Sequence, residues 1–342
     1  MKHGLKRLLL ALGLMAFCAT AFAVFDPVND DTDLFRNNPN IPAQRPNVLI
    51  VLDNTANWSS GGRFAAEKTA LINTVAALDS SFNVGLMIFT QGGAACTTAN
   101  VDGGYVRFGI RQLTTANKAG ITAVVNAFLD APCATPGDQG SSAVGGQAMH
   151  EAYLYFAGLT SRSGITQVKR DYSGSTDNTA AGSLPGNPFS SSSATAYASP
   201  ITDACMKNYI IFISNGPFSN GDDSPSSSLY AALPGVTSPS AGSFSSWVDE
   251  YADYLANTGV NVLGSNQKIF SYAVEVDPLT TGGGPAHTQL MQSMATRGKG
   301  KYFGVTSATA GAAIVPALLS IFTELQAVNS VFAASTLPVS VN

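Results

Sequence analysis

Four stretches of the chain are apolar almost without interruption: residues 47–52 (NVLIVL), 83–89 (NVGLMIF), 208–214 (NYIIFIS) and 268–276 (KIFSYAVEV). Runs of this length, rich in β-branched residues and bounded by polar turns, predict strands buried on both faces of a parallel sheet. Residues 105–113 (YVRFGIRQL) alternate instead, as a half-exposed edge strand does, and 301–305 form a short last strand. Between them the apolar period lengthens to that of a helix. Residues 63–78 carry a stripe of Ala65, Ala66, Leu71, Ile72, Val75 and Leu78, and further helices are predicted at 115–129, 145–157, 245–257, 286–296 and 308–328. Strand and helix alternate throughout. The pattern predicts one α/β domain over 46–330, a doubly wound, mostly parallel central sheet of about six strands flanked by helices. Two polar insertions interrupt it, near 173–200 and 216–244. Loops carried on a rigid sheet commonly hold partner specificity, so deleting 176–198 is expected to alter binding and leave folding intact.

The first 23 residues follow a different rule. Lys2, Lys6 and Arg7 precede an apolar run over 8–17, and Ala21 and Ala23 supply small side chains at −3 and −1. This predicts a signal peptide cleaved between Ala23 and Val24. The run is too short for a membrane span, which needs about 20 apolar residues, and the bulky Phe17 before Cys18 argues against a lipoprotein signal. No second stretch of spanning length follows, so an exported chain without a transmembrane segment is expected. Residues 24–45 are a polar lead-in; its Asp30, Asp31 and Asp33 lack the glycine and distal glutamate of an EF-hand loop and read as a solvated acidic arm.

Of the 342 residues, 45% are hydrophobic, enough for a full core, and only 12% are charged, about half the usual share in soluble domains. The net charge of −4 becomes −7 once Lys2, Lys6 and Arg7 are removed, and no basic stripe follows, which argues against nucleic acid as a partner. There are three histidines and no G-x-S-x-G elbow, P-loop lysine motif, H-E-x-x-H or C-x-x-C. No catalytic residue is predicted, and a secreted hydrolase would lack its nucleophile, base and orienter. His150 is expected to be packed or capping, His287 to be a surface or capping residue, and Lys169, Arg170 and Asp171 to form a solvated loop anchor. Export makes a disulfide expected among Cys96, Cys133 and Cys205. Cys96 and Cys133 lie in loops flanking a predicted strand–helix unit, which favours that pair; Cys205 in place of either, or three free thiols, are the alternatives.

In open α/β sheets the site lies beyond the carboxyl ends of the strands, where the strand order reverses. Three loops are expected there: after Leu52, before helix 145–157, and after Ser214. The first reads Asp53-Asn54-Thr55-Ala56-Asn57. An aspartate ending a buried strand, with oxygen-bearing side chains at alternate positions, is the donor type that a hard divalent cation takes. Trp58 is expected to pack beneath the loop rather than project from it.

The string NVLIVLDNTANW resembles the first strand and loop of a von Willebrand factor A-like domain, whose metal-ion-dependent adhesion site begins D-x-S-x-S. Several segments resemble more closely the exported, PilY-like adhesins and assembly proteins of type IV pili: NDDTDLF, NPNIPAQRPNVLIVLDNTANW, FNVGLMIF, GGQAMHEAYLYFAG, VKRDY, KNYIIFISNGP and FAASTLPVSVN, the last matching the linker that follows the domain, here 331–342. The resemblance implies a Rossmann-like fold. It implies a non-enzymatic interaction module acting in pilus assembly or tip-associated adhesion, with partners among minor pilins, a separately encoded C-terminal half, or a host or surface ligand. The location implied is the periplasm, the outer-membrane surface or an extracellular pilus tip. The implied cation site, for one Mg²⁺ or Ca²⁺, comprises Asp53, Thr55, Asn57, Ser142 and Asn215. It is degenerate: Asn57 replaces a serine, Ser141 or Ser142 stands for a threonine with Ala143 beside them, and Asn215 replaces an aspartate. With one carboxylate left in that set, weaker Mg²⁺ affinity is expected. The alternative is a secreted A-type adhesin unrelated to pili, binding an extracellular protein through the metal-dependent site.

Overall fold

The computed structural model describes residues 44–55, 58, 61–90, 101–131, 137–140, 144–167, 170–171, 187–218, 223–242, 244, 246–278 and 284–335. The predicted signal cleavage site at Ala23 and Val24, the lead-in, and Cys96 and Cys133 lie outside them; Cys205 is an exposed free thiol.

The apolar runs form strands β1 (Asn47–Leu52), β2 (Asn83–Phe89), β4 (Asn208–Ser214) and β7 (Ile269–Val276), and the alternating run forms β3 (Gly104–Gln112). With β8 (Lys299–Val305) they make one six-stranded sheet in the order β3-β2-β1-β4-β7-β8. Every neighbouring pair is parallel except β2 and β3. Because each central strand is covered on both sides, its alternate residues enter two separate cores. Leu49 and Val51 join α3 (Gly145–Ala157), α4 (Asp223–Ala231), α5 (Val248–Asn257) and α6 (Gly284–Arg297) on one face. Val48, Ile50 and Leu52 join α1 (Arg63–Ala77), α2 (Thr115–Asn126) and α8 (Ile314–Ser335) on the other. Among the described residues, no helix is long and apolar enough to cross a membrane. The amino ends of three strands are tied by an amide ladder: Asn83 donates to Asn47 at 2.9 Å and Asn47 to Asn208 at 3.0 Å.

Several expectations need correction. The buried face of α1 runs through Arg63, Ala66, Glu67, Ala70, Leu71, Thr74 and Val75, with Ala65 on the exposed side, so the stripe is rotated and includes a carboxylate. The last helix is broken. A short α7 (Ala308–Gly311) ends at Gly311 with φ 80°, where a Cβ would lie 2.3 Å from the Ala66 carbonyl oxygen, and α8 starts afresh. A hairpin of β5 (Val260–Val262) and β6 (Ser265–Gln267) was not expected; Leu263 and Gly264 turn it with φ 58° and 77°, the left-handed pair a tight two-residue loop needs. Strand β3 is an edge strand but is buried along nearly its whole length. Arg107 pairs with Asp138 at 3.5 Å and Arg111 with Asp171, all out of solvent. Where the β2–β3 ladder slips, the Gly109 N–H donates to Asp171 and the Ile110 N–H to the Tyr155 hydroxyl, each at 2.8 Å. Asp171 is therefore a buried clamp on the sheet edge, not a solvated anchor.

The first polar insertion is also partly core. Phe189 and Tyr197 are buried and stacked, with ring centroids 4.7 Å apart. Beneath them the buried Glu151 accepts from the Tyr197 hydroxyl at 2.6 Å, the Ser161 hydroxyl at 2.5 Å and the Ser163 hydroxyl at 3.0 Å. It also accepts from the Arg162, Ser163 and Gly164 N–H groups. These contacts weigh against the expectation that deleting 176–198 leaves folding intact.

Candidate functional site at the switch point

The strand order reverses between β1 and β4, and the carboxyl ends of these two strands carry the candidate site. Their in-register pairing puts Leu52 beside Ile213, and the Asp53 N–H continues the ladder by donating to the Ile213 carbonyl at 2.9 Å. Asp53, Ser214 and Asn215 thus meet where the chain leaves the sheet.

Asp53 is fully buried. Its Oδ1 accepts from the Thr55 hydroxyl at 2.7 Å and the Thr55 N–H at 3.1 Å; its Oδ2 accepts from the Ser214 hydroxyl at 3.3 Å. Burial raises its pKa to about 6, against the lowering effect of the Thr55 and Ser214 hydrogen bonds. Asn54 points the other way and locks the loop. Its side chain accepts from the Phe89 N–H at 2.8 Å and donates to the Asp138 carbonyl at 2.6 Å, while the Gly140 N–H donates to the Asn54 carbonyl. Asn215 donates its side-chain amide to the Asp53 carbonyl at 2.8 Å and to Glu67 Oε1 at 3.3 Å.

The structure therefore brings together Asp53, Thr55 and Asn215 of the predicted set; Asn57 and Ser142 lie outside the described residues. Trp58 is buried beneath the loop as expected, edge-on to Phe64 at 4.6 Å and Phe128 at 5.9 Å. Its indole N–H faces Glu67 without closing a regular hydrogen bond.

Two site residues escaped the sequence reading. Glu67 of α1 is buried against Asn215, its carboxyl pushed well up by burial and then by the Asp53 charge. A charged residue in phase with Ala66, Ala70 and Leu71 was the available signal. His287, expected at the surface or a cap, is buried in the first turn of α6, with Nε2 3.0 Å from the Ser214 hydroxyl and its ring edge-on to Phe218 at 5.2 Å. Burial lowers its pKa to about 4, so at neutral pH it is an uncharged polar contact for Ser214. Its only warning was that it follows a glycine-rich turn. His150 is packed as expected, 3.2 Å from the Tyr251 hydroxyl.

Whether this set suits a cation is decided by its atoms. Every side-chain donor around Asp53 except the Asn215 amide nitrogen and His287 is an oxygen, the chemistry of a hard divalent ion. Among the described residues the buried Asn215 Oδ1 has no hydrogen-bond partner and is left as an open acceptor. The residues fit such an ion: Asp53 would supply charge, and Thr55 and Asn215 neutral oxygens.

No family model matches the chain. No curated protein matches it either. Solved structures do. The chain is similar to a von Willebrand factor type A protein from Catenulispora acidiphila (TM-score 0.42, 9% identity, covering 80% of this chain and 42% of that one). It is also similar to proximal thread matrix protein 1 from the mussel byssus, solved with a zinc-occupied MIDAS motif (TM-score 0.41, 9% identity, 81% and 48%). A third is the pilus adhesin SpaC from Lactobacillus rhamnosus GG (TM-score 0.43, 12% identity, 82% and 30%). The chain thus spans less than half the length of each of these proteins. The fold class rests on the strand order itself: a doubly wound, mostly parallel sheet with one antiparallel edge and its site residues at the switch point.

Proposed function

We propose that the chain is an exported, non-enzymatic interaction module of a type IV pilus system, acting in pilus assembly or tip-associated adhesion. Minor pilins are its partners. The observation that carries the non-enzymatic part is the way the polar groups at the switch point engage one another. The Thr55 hydroxyl donates to Asp53, the Ser214 hydroxyl lies among Asp53, the Gly216 carbonyl and the buried His287, and the Asn215 amide donates to the Asp53 carbonyl and to Glu67. Groups that engage one another in this way support a role in shaping loops for a partner. The pilus part is supported by the strings that surround this cluster in the sequence, from NPNIPAQRPNVLIVLDNTANW to KNYIIFISNGP.

The test is genetic and biochemical. In the native host, deletion is expected to reduce surface pili or twitching, and the tagged chain is expected to co-purify with minor pilins. Normal piliation in the deletion strain, with the tagged chain bound instead to an extracellular protein in a cation-dependent manner, would favour the secreted A-type adhesin. The Glu67 carboxylate beside Asn215 is the observation on that side.

A further inference from the structure

We propose that Glu67 is the second carboxylate ligand of a hard divalent-cation site centred on Asp53, with the Asn215 side-chain carbonyl as a neutral ligand. The inference is independent of the pilus reading, which piliation of a deletion strain tests separately.

Three buried groups converge from different elements. Asp53 follows β1, Asn215 follows β4 and Glu67 sits on the inner face of α1, all at most 1% exposed. The Asn215 amide nitrogen touches both acidic residues, at the Asp53 backbone carbonyl and at Glu67 Oε1, and its own Oδ1 is buried without a hydrogen-bond partner among the described residues. Glu67 Oε2 likewise makes no regular hydrogen bond. Two carboxylates this deep need positive charge near them. Arg63, one turn earlier on α1, directs its Nε to Asp277 at 3.0 Å and is the least of the influences on Glu67. A small cation among Asp53, Glu67 and Asn215 Oδ1 meets the open acceptor and both charges at once, and the oxygen ligands select Mg²⁺, Ca²⁺ or Mn²⁺ over softer ions.

The other way to neutralise the pair is a proton kept on Glu67, and Glu67→Gln mimics that state in shape. Calorimetric titration of the purified chain with Mg²⁺, Ca²⁺ and Mn²⁺, with thermal melts as a second readout, separates the two. The expected result is one cation bound per chain, at least tenfold weaker in Asp53→Asn and in Glu67→Gln, and unchanged in Glu324→Gln, whose partners are Lys301 and Tyr272. If Glu67→Gln does not fold, Asn215→Ala carries the same test by removing the open carbonyl, again with at least a tenfold loss. A folded wild type that binds none of the three ions overturns the proposal. So does a Glu67→Gln variant with wild-type affinity.

Discussion

The Tyr197 hydroxyl donates to Glu151 at 2.6 Å, fastening a serine- and glycine-rich segment to a helix 46 positions earlier in the chain. Tyr197 is buried and its own pKa is pushed well up, by burial and then by the Glu151 charge. Removing only this hydroxyl leaves Glu151 with its serine and backbone donors, so Tyr197→Phe is expected to cost about 1 kcal/mol. Phe189→Ala removes the stacked ring and opens a cavity, at about 3 kcal/mol or more. Urea unfolding of both variants checks the order. Equal, negligible losses would mean that this segment is dispensable to the core.

The asparagine ladder makes a second, independent claim. Asn47 accepts from Asn83 and donates to Asn208 and to the Pro200 carbonyl, at the first residue of three adjacent strands. An apolar Asn47→Leu leaves the Asn83 donor and the Asn208 acceptor without their shared partner in a buried layer. The expected loss is about 2 kcal/mol. The double variant Asn47→Leu/Asn208→Leu should lose less than the sum of its two single variants, which a double-mutant cycle in urea would read directly.

His150 sets an acid limit on stability. Burial first, and the Arg162 charge second, lower its pKa from 6.5 to about 4, with the Tyr251 hydroxyl and the Tyr153 ring against it. The folded state holds the neutral form. Its contribution is therefore fully present above pH 6.5 and lost as pH falls through 4. Between pH 7 and pH 4 the wild type is expected to lose about 2 kcal/mol more than His150→Phe. Denaturation curves at the two pH values give the difference, and parallel losses in both proteins would place the acid sensitivity elsewhere.

The fold was legible where burial is two-sided, because such strands leave continuous apolar runs; β1, β2, β4 and β7 all do. Asp53 was legible for the same reason, as the polar residue that stops the first run. Other features were hidden by their own chemistry. Glu67 is a charged residue on the core side of a helix, and a stripe drawn through apolar residues passes over it to Ala65. Phe189 and Tyr197 lie within a segment whose average composition is that of a loop, although both aromatics are themselves buried. Arg107 and Arg111 made β3 look half-exposed, since alternation does not distinguish a solvated arginine from one paired with a buried aspartate across the fold.

Asn215 gives the sharpest test of what the site is built for. Its amide donates to the Asp53 carbonyl and to Glu67, so Asn215→Asp exchanges a donor for a third carboxylate beside two that are already buried. Without a cation the variant is expected to be less stable than the wild type by about 2 kcal/mol or more, because a buried charge replaces a satisfied hydrogen-bond donor. With Mg²⁺ or Ca²⁺ the same carboxylate becomes an added ligand, and binding to the folded state raises the melting temperature by mass action. The cation-induced rise in melting temperature should therefore be larger in Asn215→Asp than in the wild type, and smallest in Asp53→Asn. Thermal melts of the three proteins in a chelator and in excess divalent cation read this ranking. A deficit in Asn215→Asp that no cation narrows would show that the loops at the switch point are closed by hydrogen bonds alone.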